Sequence, residues 1–168
     1  MSLSVSDEIL CEIGRIAVYQ SHIEGQMALF IQGLLYLDET EGNLVTLNLS
    51  FWEHMDLLGS LLRNEFGAQS KYVGTFDDFR KSMEMIVPQR NKFVHSMWGF
   101  GETFGYDTAT MVKVVKDKSK GAVLKSVPVT LQELRDMSGK MAHLEWLISD
   151  LRVRICGEPL VRRRRAPQ

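Results

Sequence analysis

Residues 5–34, VSDEILCEIGRIAVYQSHIEGQMALFIQGL, decide how the rest of the chain is read. Within them Ile9, Ile13, Ile16, Gln20, Ile23, Met27, Phe30 and Leu34 recur at alternating steps of four and three, and all but Gln20 are apolar. An α-helix turns once every 3.6 residues, so these positions fall on one stripe and predict a long amphipathic helix. A second stripe, Leu134, Met137, Met141, Leu144, Ile148, Leu151 and Ile155, lies near the other end of the chain. Such stripes bury well against antiparallel neighbours at small crossing angles.

Two further helices are expected between them. Ser50-Phe51-Trp52-Glu53 opens one, with Met55, Leu58, Leu61 and Leu62 facing inward. Thr75-Phe76-Asp77-Asp78 opens the next, with Phe79, Met83 and Ile86 on one side. Thr130-Leu131-Gln132-Glu133 starts the last helix, and Ser4-Val5-Ser6-Asp7 gives the first a similar start. In each, a hydroxyl can accept a bond from an unpaired amide, and an acid three residues on can reach back or favour the helix dipole.

The helical pattern breaks from about 109 to 129. Met111-Val112-Lys113-Val114-Val115 and Ala122-Val123-Leu124-Lys125-Ser126-Val127 are valine-rich and flank the polar, turn-like residues 116–121. They read as a β-hairpin, which needs the helices or a partner to be stable. The glycine-rich residues 99–105 link the third helix to it, and Gly157 and Pro159 should end the last helix. The expected fold is all-α: an up-and-down four-helix bundle with a β-hairpin inserted before the last helix. One domain, 1–157, carries it, and 158–168 form a basic, disordered tail containing Arg162, Arg163, Arg164 and Arg165. That block can add nonspecific phosphate affinity or can be merely a solvated end.

Composition sets the limits on function. A chain of 168 residues can bury a core without staples. A formal net charge of −1 gives no bulk attraction to polyanions. No apolar run reaches the roughly 18–20 residues that span a bilayer, and the first eight residues lack the basic and apolar segments of a signal peptide. Cys11 and Cys156 make neither a disulfide framework nor a metal spacing and are expected as small buried apolar side chains. His22, His54 and His143 are scattered, with packing or surface roles expected. A cytoplasmic protein with no metal, no cofactor and no membrane partner is the natural reading.

The chemistry-bearing run is Arg90-Asn91-Lys92-Phe93-Val94-His95, with Trp98 close behind. Arg90 presents a planar fork of donors that fits phosphate oxygens and stays charged at any cellular pH. His95 can take a proton from a ribose 2′-hydroxyl or give one to a leaving 5′-oxygen. Asn91 can hold the imidazole or a phosphate oxygen. Together they can cleave RNA without metal, the 2′-hydroxyl attacking its own phosphate to leave a 2′,3′-cyclic phosphate. One imidazole cannot readily serve as acid and base in the same step, so a second subunit is expected. Geometry restrains this reading. Asn91 and His95 share a helix face, whereas Arg90 lies roughly 140° around an ideal helix from His95. Pro88 can kink the third helix or restart it.

At these residues the chain resembles HEPN domains. Arg90-Asn91, three residues and His95 look like the Arg-x4–6-His motif in its form with a polar residue after the arginine. His95-Ser96-Met97-Trp98-Gly99 resembles bacterial members with a small residue and a tryptophan after the histidine. The resemblance implies a helical bundle over about 5–157 and a metal-independent endoribonuclease with Arg90, Asn91 and His95 as catalytic residues. It further implies a homodimer in which two motifs meet, RNA as substrate, and a toxin or phage-defence role restrained by an antitoxin or regulatory protein. Some members carry an extra acid on an earlier helix, for which Glu24 and Glu53 are candidates. Others are non-catalytic RNA-binding, nucleotide-binding or protein-interaction modules, and that alternative stands beside the first.

Each residue also has an ordinary structural explanation. His95 can cap or pack at a helix end, and Arg90 can pair with Asp77 or Asp78. Asn91 can bond the local backbone after Pro88, and Trp98 can belong to a core or a dimer interface. Ser96 lacks a hydrolase elbow.

Overall fold

The computed structural model describes residues 5–99, 108–117 and 121–157. It is mostly helical, with a small antiparallel sheet. The elements are α1 (Asp7–Leu35), α2 (Glu39–Thr46), α3 (Phe51–Phe66), α4 (Lys71–Val94), β1 (Met97–Trp98), β2 (Thr108–Asp117), β3 (Gly121–Thr130) and α5 (Leu131–Cys156). The chain forms two compact units. One comprises residues 1–19 and 85–142, the other 20–84 and 143–168. Within these spans 100–107, 118–120, the arginine block and Pro159 lie outside the described residues, as does the expectation of a disordered tail.

The apolar stripes account for the long helices. In α1, Ile9, Ile16, Gln20, Ile23, Met27 and Phe30 are buried, while Ile13 and Leu34 are half-buried. In α5, Leu134 through Leu151 of the stripe are buried and Ile155 is half-buried. Ser6 caps α1, accepting from the Ile9 amide at 3.4 Å. Ser50 and Glu53 close a reciprocal capping box on α3. Thr130 and Glu133 do the same ahead of α5, with bonds of 2.7 and 3.2 Å.

The helices differ from the sequence reading in one boundary and one added element. The fourth helix begins at Lys71, not near Thr75. Ser70 caps it, accepting from the Val73 amide at 3.3 Å. Thr75 lies inside, its hydroxyl donating to the Lys71 carbonyl at 3.0 Å. A mid-helix threonine with a bond to the preceding turn thus mimics a start signal. The short helix α2 is an addition, making five helices among the described residues. Asp38 and Glu41 form its capping box. Eight residues hold too few turns to display a stripe.

The unit of 1–19 and 85–142 contains the sheet, in the order β1-β2-β3. β2 and β3 form an antiparallel hairpin running from Thr108↔Thr130 to Asp117↔Gly121, longer than the expected strands. Pro128 sits on β3, an edge strand, where its missing N–H costs no ladder bond. Buried Ala109, Met111, Val112 and Val129 line the hairpin's base. In the same unit Ser138 donates to buried Glu12 Oε2 at 2.6 Å, and Glu12 accepts from Arg15 at 2.7 Å.

The unit of 20–84 and 143–168 buries Phe30, Met55, Leu58, Leu62, Phe76, Phe79 and Met83 completely or nearly so. Arg80 joins Asp56 at 2.7 Å and Glu84 at 3.2 Å, which raises its own pKa further. Gly42 lets α2 approach Gln32, because a Cβ there would run into the Gln32 Cγ and Cδ. Gln32 is 5% exposed and has little room to move aside. Gly25, by contrast, faces open space on α1. Gly25→Ala should therefore raise stability by about 0.5–1 kcal/mol through helix propensity. Gly42→Ala should instead show a net loss of about 1 kcal/mol or more from overpacking, partly relieved by adding Gln32→Ala. Thermal denaturation of the variants measures both signs.

Candidate functional site

The last two turns of α4 carry Arg90, Asn91 and Lys92, and the helix ends at Val94. It runs through Pro88 without restarting. The His95 amide still donates to the Asn91 carbonyl at 3.1 Å, but His95 has left the helix. Two residues later the chain pairs as β1 with β2, Met97 opposite Val112 and Trp98 opposite Met111. The Gly99 amide extends this contact to the Thr110 carbonyl at 3.2 Å. Half-buried Trp98 turns back, its Nε1–H donating to the Phe93 carbonyl at 2.8 Å. That bond satisfies one of the carbonyls a helix leaves open at its C-terminus.

These connections bring the three motif residues together. Arg90 Nη1 lies 2.9 Å from Asn91 Oδ1 and 3.4 Å from His95 Nε2. The angle an ideal helix would impose does not apply, because His95 stands beyond the helix end. Guanidinium nitrogens only donate, so a hydrogen bond at this contact has His95 Nε2 as its acceptor. Arg90 Nε is buried and has no hydrogen-bond partner among the described residues. Asn91 and His95 are exposed, and Arg90 is half-buried.

The expected alternative partners of Arg90 are engaged elsewhere. Asp77 accepts from Arg63, and Asp78 lies 3.5 Å from Lys81. Among the described residues Arg90 forms no ion pair. A buried donor with no acceptor among the described residues carries a desolvation cost of roughly 1–3 kcal/mol. The α4 C-terminus opposes an anion with about half a negative charge. Lys92 in the last turn and Arg90 just before it, each a full positive charge, outweigh it.

Neither acidic candidate belongs to this unit. Glu24 accepts from Gln20 at 2.8 Å. Glu53 is committed to the α3 cap, and its bonds from Ser50 hold its pKa below the ordinary carboxylate value. Of the other histidines, His22 is exposed and His143 stacks on Trp146 with ring centroids 6.0 Å apart. His54 is buried, with Nδ1 3.1 Å from the Ser50 carbonyl. Cys11 departs from expectation: it is exposed, because it follows the stripe residues Ile9 and precedes Ile13 on the outer side of α1. Cys156 is half-buried, and burial pushes its thiol pKa up. Among the described residues no group of three or more His, Cys, Asp or Glu is placed to hold a metal ion. No described helix is long and apolar enough to cross a membrane.

The β1 strand escaped the sequence reading. Two residues beside a glycine-rich stretch carry no period, and only pairing with β2 identifies them. No protein-family model, curated protein or solved structure matches the chain.

The Glu53 bond has a pH consequence. Its folded-state pKa lies below the unfolded value, so its contribution is present above the unfolded pKa and is lost as pH falls through the folded one. Glu53→Gln keeps a side chain that can cap but removes the titration. Between about pH 5 and pH 3 the wild type should lose more stability than the Gln variant, as measured by denaturant midpoints.

Proposed function

We propose that this chain is a metal-independent endoribonuclease of HEPN type, with Arg90, Asn91 and His95 as its catalytic residues. The observation carrying the reading is the shared Arg90 Nη1, 2.9 Å from Asn91 Oδ1 and 3.4 Å from His95 Nε2, beside two exposed polar side chains. In this reading α1, α3, α4 and α5 are the four helices of a HEPN-like bundle, with α2 and the sheet as additions.

The chemistry follows from the donor set. When a scissile phosphate arrives, Arg90 turns from the imidazole to the phosphate oxygens, and Asn91 keeps its fork oriented. The Nε2 lone pair then takes the proton of the adjacent ribose 2′-hydroxyl. That oxygen bonds to phosphorus, the bond from phosphorus to the 5′-oxygen breaks, and a 2′,3′-cyclic phosphate remains. The departing 5′-oxygen needs a proton, which the protonated His95 of a second copy can supply. The proposal therefore includes a homodimer. It places the protein among RNA-cleaving toxins or phage-defence factors, which an antitoxin or regulatory protein would have to restrain.

RNA cleavage in EDTA is the decisive measurement. Wild type should yield cyclic-phosphate ends. His95→Ala should lower the rate by about 10²–10⁴ and Arg90→Ala by about 10²–10³. Cleavage that requires a divalent metal, or that survives His95→Ala, rejects the mechanism. RNA or nucleotide binding that depends on Arg90 but gives no cyclic product identifies a non-catalytic module instead. Light scattering at micromolar concentration should report a dimer, and a monomer alone would count against the shared site.

A further inference from the structure

We infer that the outer face of α2, Leu44 and Leu47 with the acids beside them, docks a partner protein through a segment that sets apolar side chains among lysines or arginines. The inference goes beyond the ribonuclease reading and does not depend on it.

This helix buries its small residues and exposes its large apolar ones. Gly42 and Thr46, four apart, share one face of α2, and these are the residues it buries. Gly42 has no side chain to bury and sits against Gln32. Thr46 satisfies its hydroxyl within the helix, donating to the Gly42 carbonyl at 2.9 Å. Leu44 lies on the opposite face, and Leu47, which keeps helical backbone at the C-cap, flanks it. They are 77% and 79% exposed, the highest values for large apolar side chains among the described residues. Leu35, Tyr36 and Val45, close by in sequence, are exposed as well. Scattered exposed leucines are ordinary, but a cluster rimmed by charge marks an interaction surface.

Charge identifies the occupant. Glu41 stands one turn before Leu44 and Val45, so it borders them on the helix surface. Asp38 and Glu39 precede it. All three acids are exposed, and none joins an ion pair among the described residues. From 16 to 62 the sequence holds Glu24, Asp38, Glu39, Glu41, Glu53 and Asp56 but no lysine or arginine, although the whole chain carries only −1. Such a surface repels anionic lipid headgroups and RNA phosphates. A second copy placed by a two-fold axis would set these acids against one another. A basic segment of a different protein both covers the leucines and neutralises the acids.

The test uses the full chain and two fluorescent amphipathic peptides of about 15 residues, long enough to form a helix. One combines leucine with lysine, the other leucine with glutamate, and anisotropy follows binding. The lysine peptide should bind and the glutamate peptide should not. Leu44→Ser/Leu47→Ser should weaken binding by roughly 10²-fold, at about tenfold per leucine. Leu44→Lys, a second variant of the same face, should weaken it too and keeps the test open should the serine pair not fold. Glu39→Gln/Glu41→Gln, whose glutamine can still close the cap, should weaken binding and flatten its salt dependence. Val18→Ser/Met85→Ser, at exposed apolar positions elsewhere, should bind as wild type does. The inference is overturned if wild type binds neither peptide, if both bind alike, or if the Val18/Met85 pair loses as much as the leucine pair. It is also overturned if light scattering shows the leucine pair breaking a dimer, which makes a second copy the occupant. Removal of 158–168 that strengthens binding as much as the leucine pair weakens it overturns it as well, because the chain's own arginines then fill the face.

Discussion

Covering the apolar stripe of α1 is the constraint on which the other elements depend. Full burial of an aliphatic or aromatic side chain contributes roughly 1.5–3 kcal/mol. Ile9, Ile16, Ile23, Met27 and Phe30 are at most 1% exposed, so the helix contributes several such terms. Caps and surface ion pairs add smaller increments, about 1 kcal/mol or less each. Gln20 is the break in the stripe. It is buried, donates to Glu24 at 2.8 Å, and leaves its Oε1 without a partner among the described residues. The fold thus carries one unfavourable polar term inside a face that otherwise stabilises it.

The candidate site is governed by smaller energies acting on geometry. The helix must end before His95 for the imidazole to reach Arg90, and the chain must then enter a strand. Three contacts hold that turn: the His95 amide on the Asn91 carbonyl, the Trp98 indole on the Phe93 carbonyl, and the pairing of β1 with β2. Each hydrogen bond is worth about 0.5–1.5 kcal/mol. Together they set the relation of a guanidinium, an amide and an imidazole. The Arg90 Nε, buried and without a hydrogen-bond partner among the described residues, adds a polar cost at the same turn.

Much of this was legible beforehand, for local reasons. The caps at Ser50 and Thr130 formed as their Ser/Thr-x-x-Glu spacing indicated. The same spacing misled at Thr75, where the hydroxyl bonds backwards within an established helix. Asp38-Glu39-Thr40-Glu41 carried a usable start signal for α2, but no apolar stripe followed to confirm it. The motif was legible as residue types. Its geometry was not, because the ideal-helix angle between Arg90 and His95 assumes a helix that in fact stops at Val94.

By itself the sequence determined the long helices, the hairpin and the identity of the polar trio, because periodicity and capping act over a few neighbouring residues. The tertiary structure alone decided where α4 ends, that Met97 and Trp98 become a strand, and that Arg90 Nη1 meets His95 Nε2. Those outcomes depend on β1 finding β2 across the intervening chain, and a pairing between distant segments leaves no local period to read.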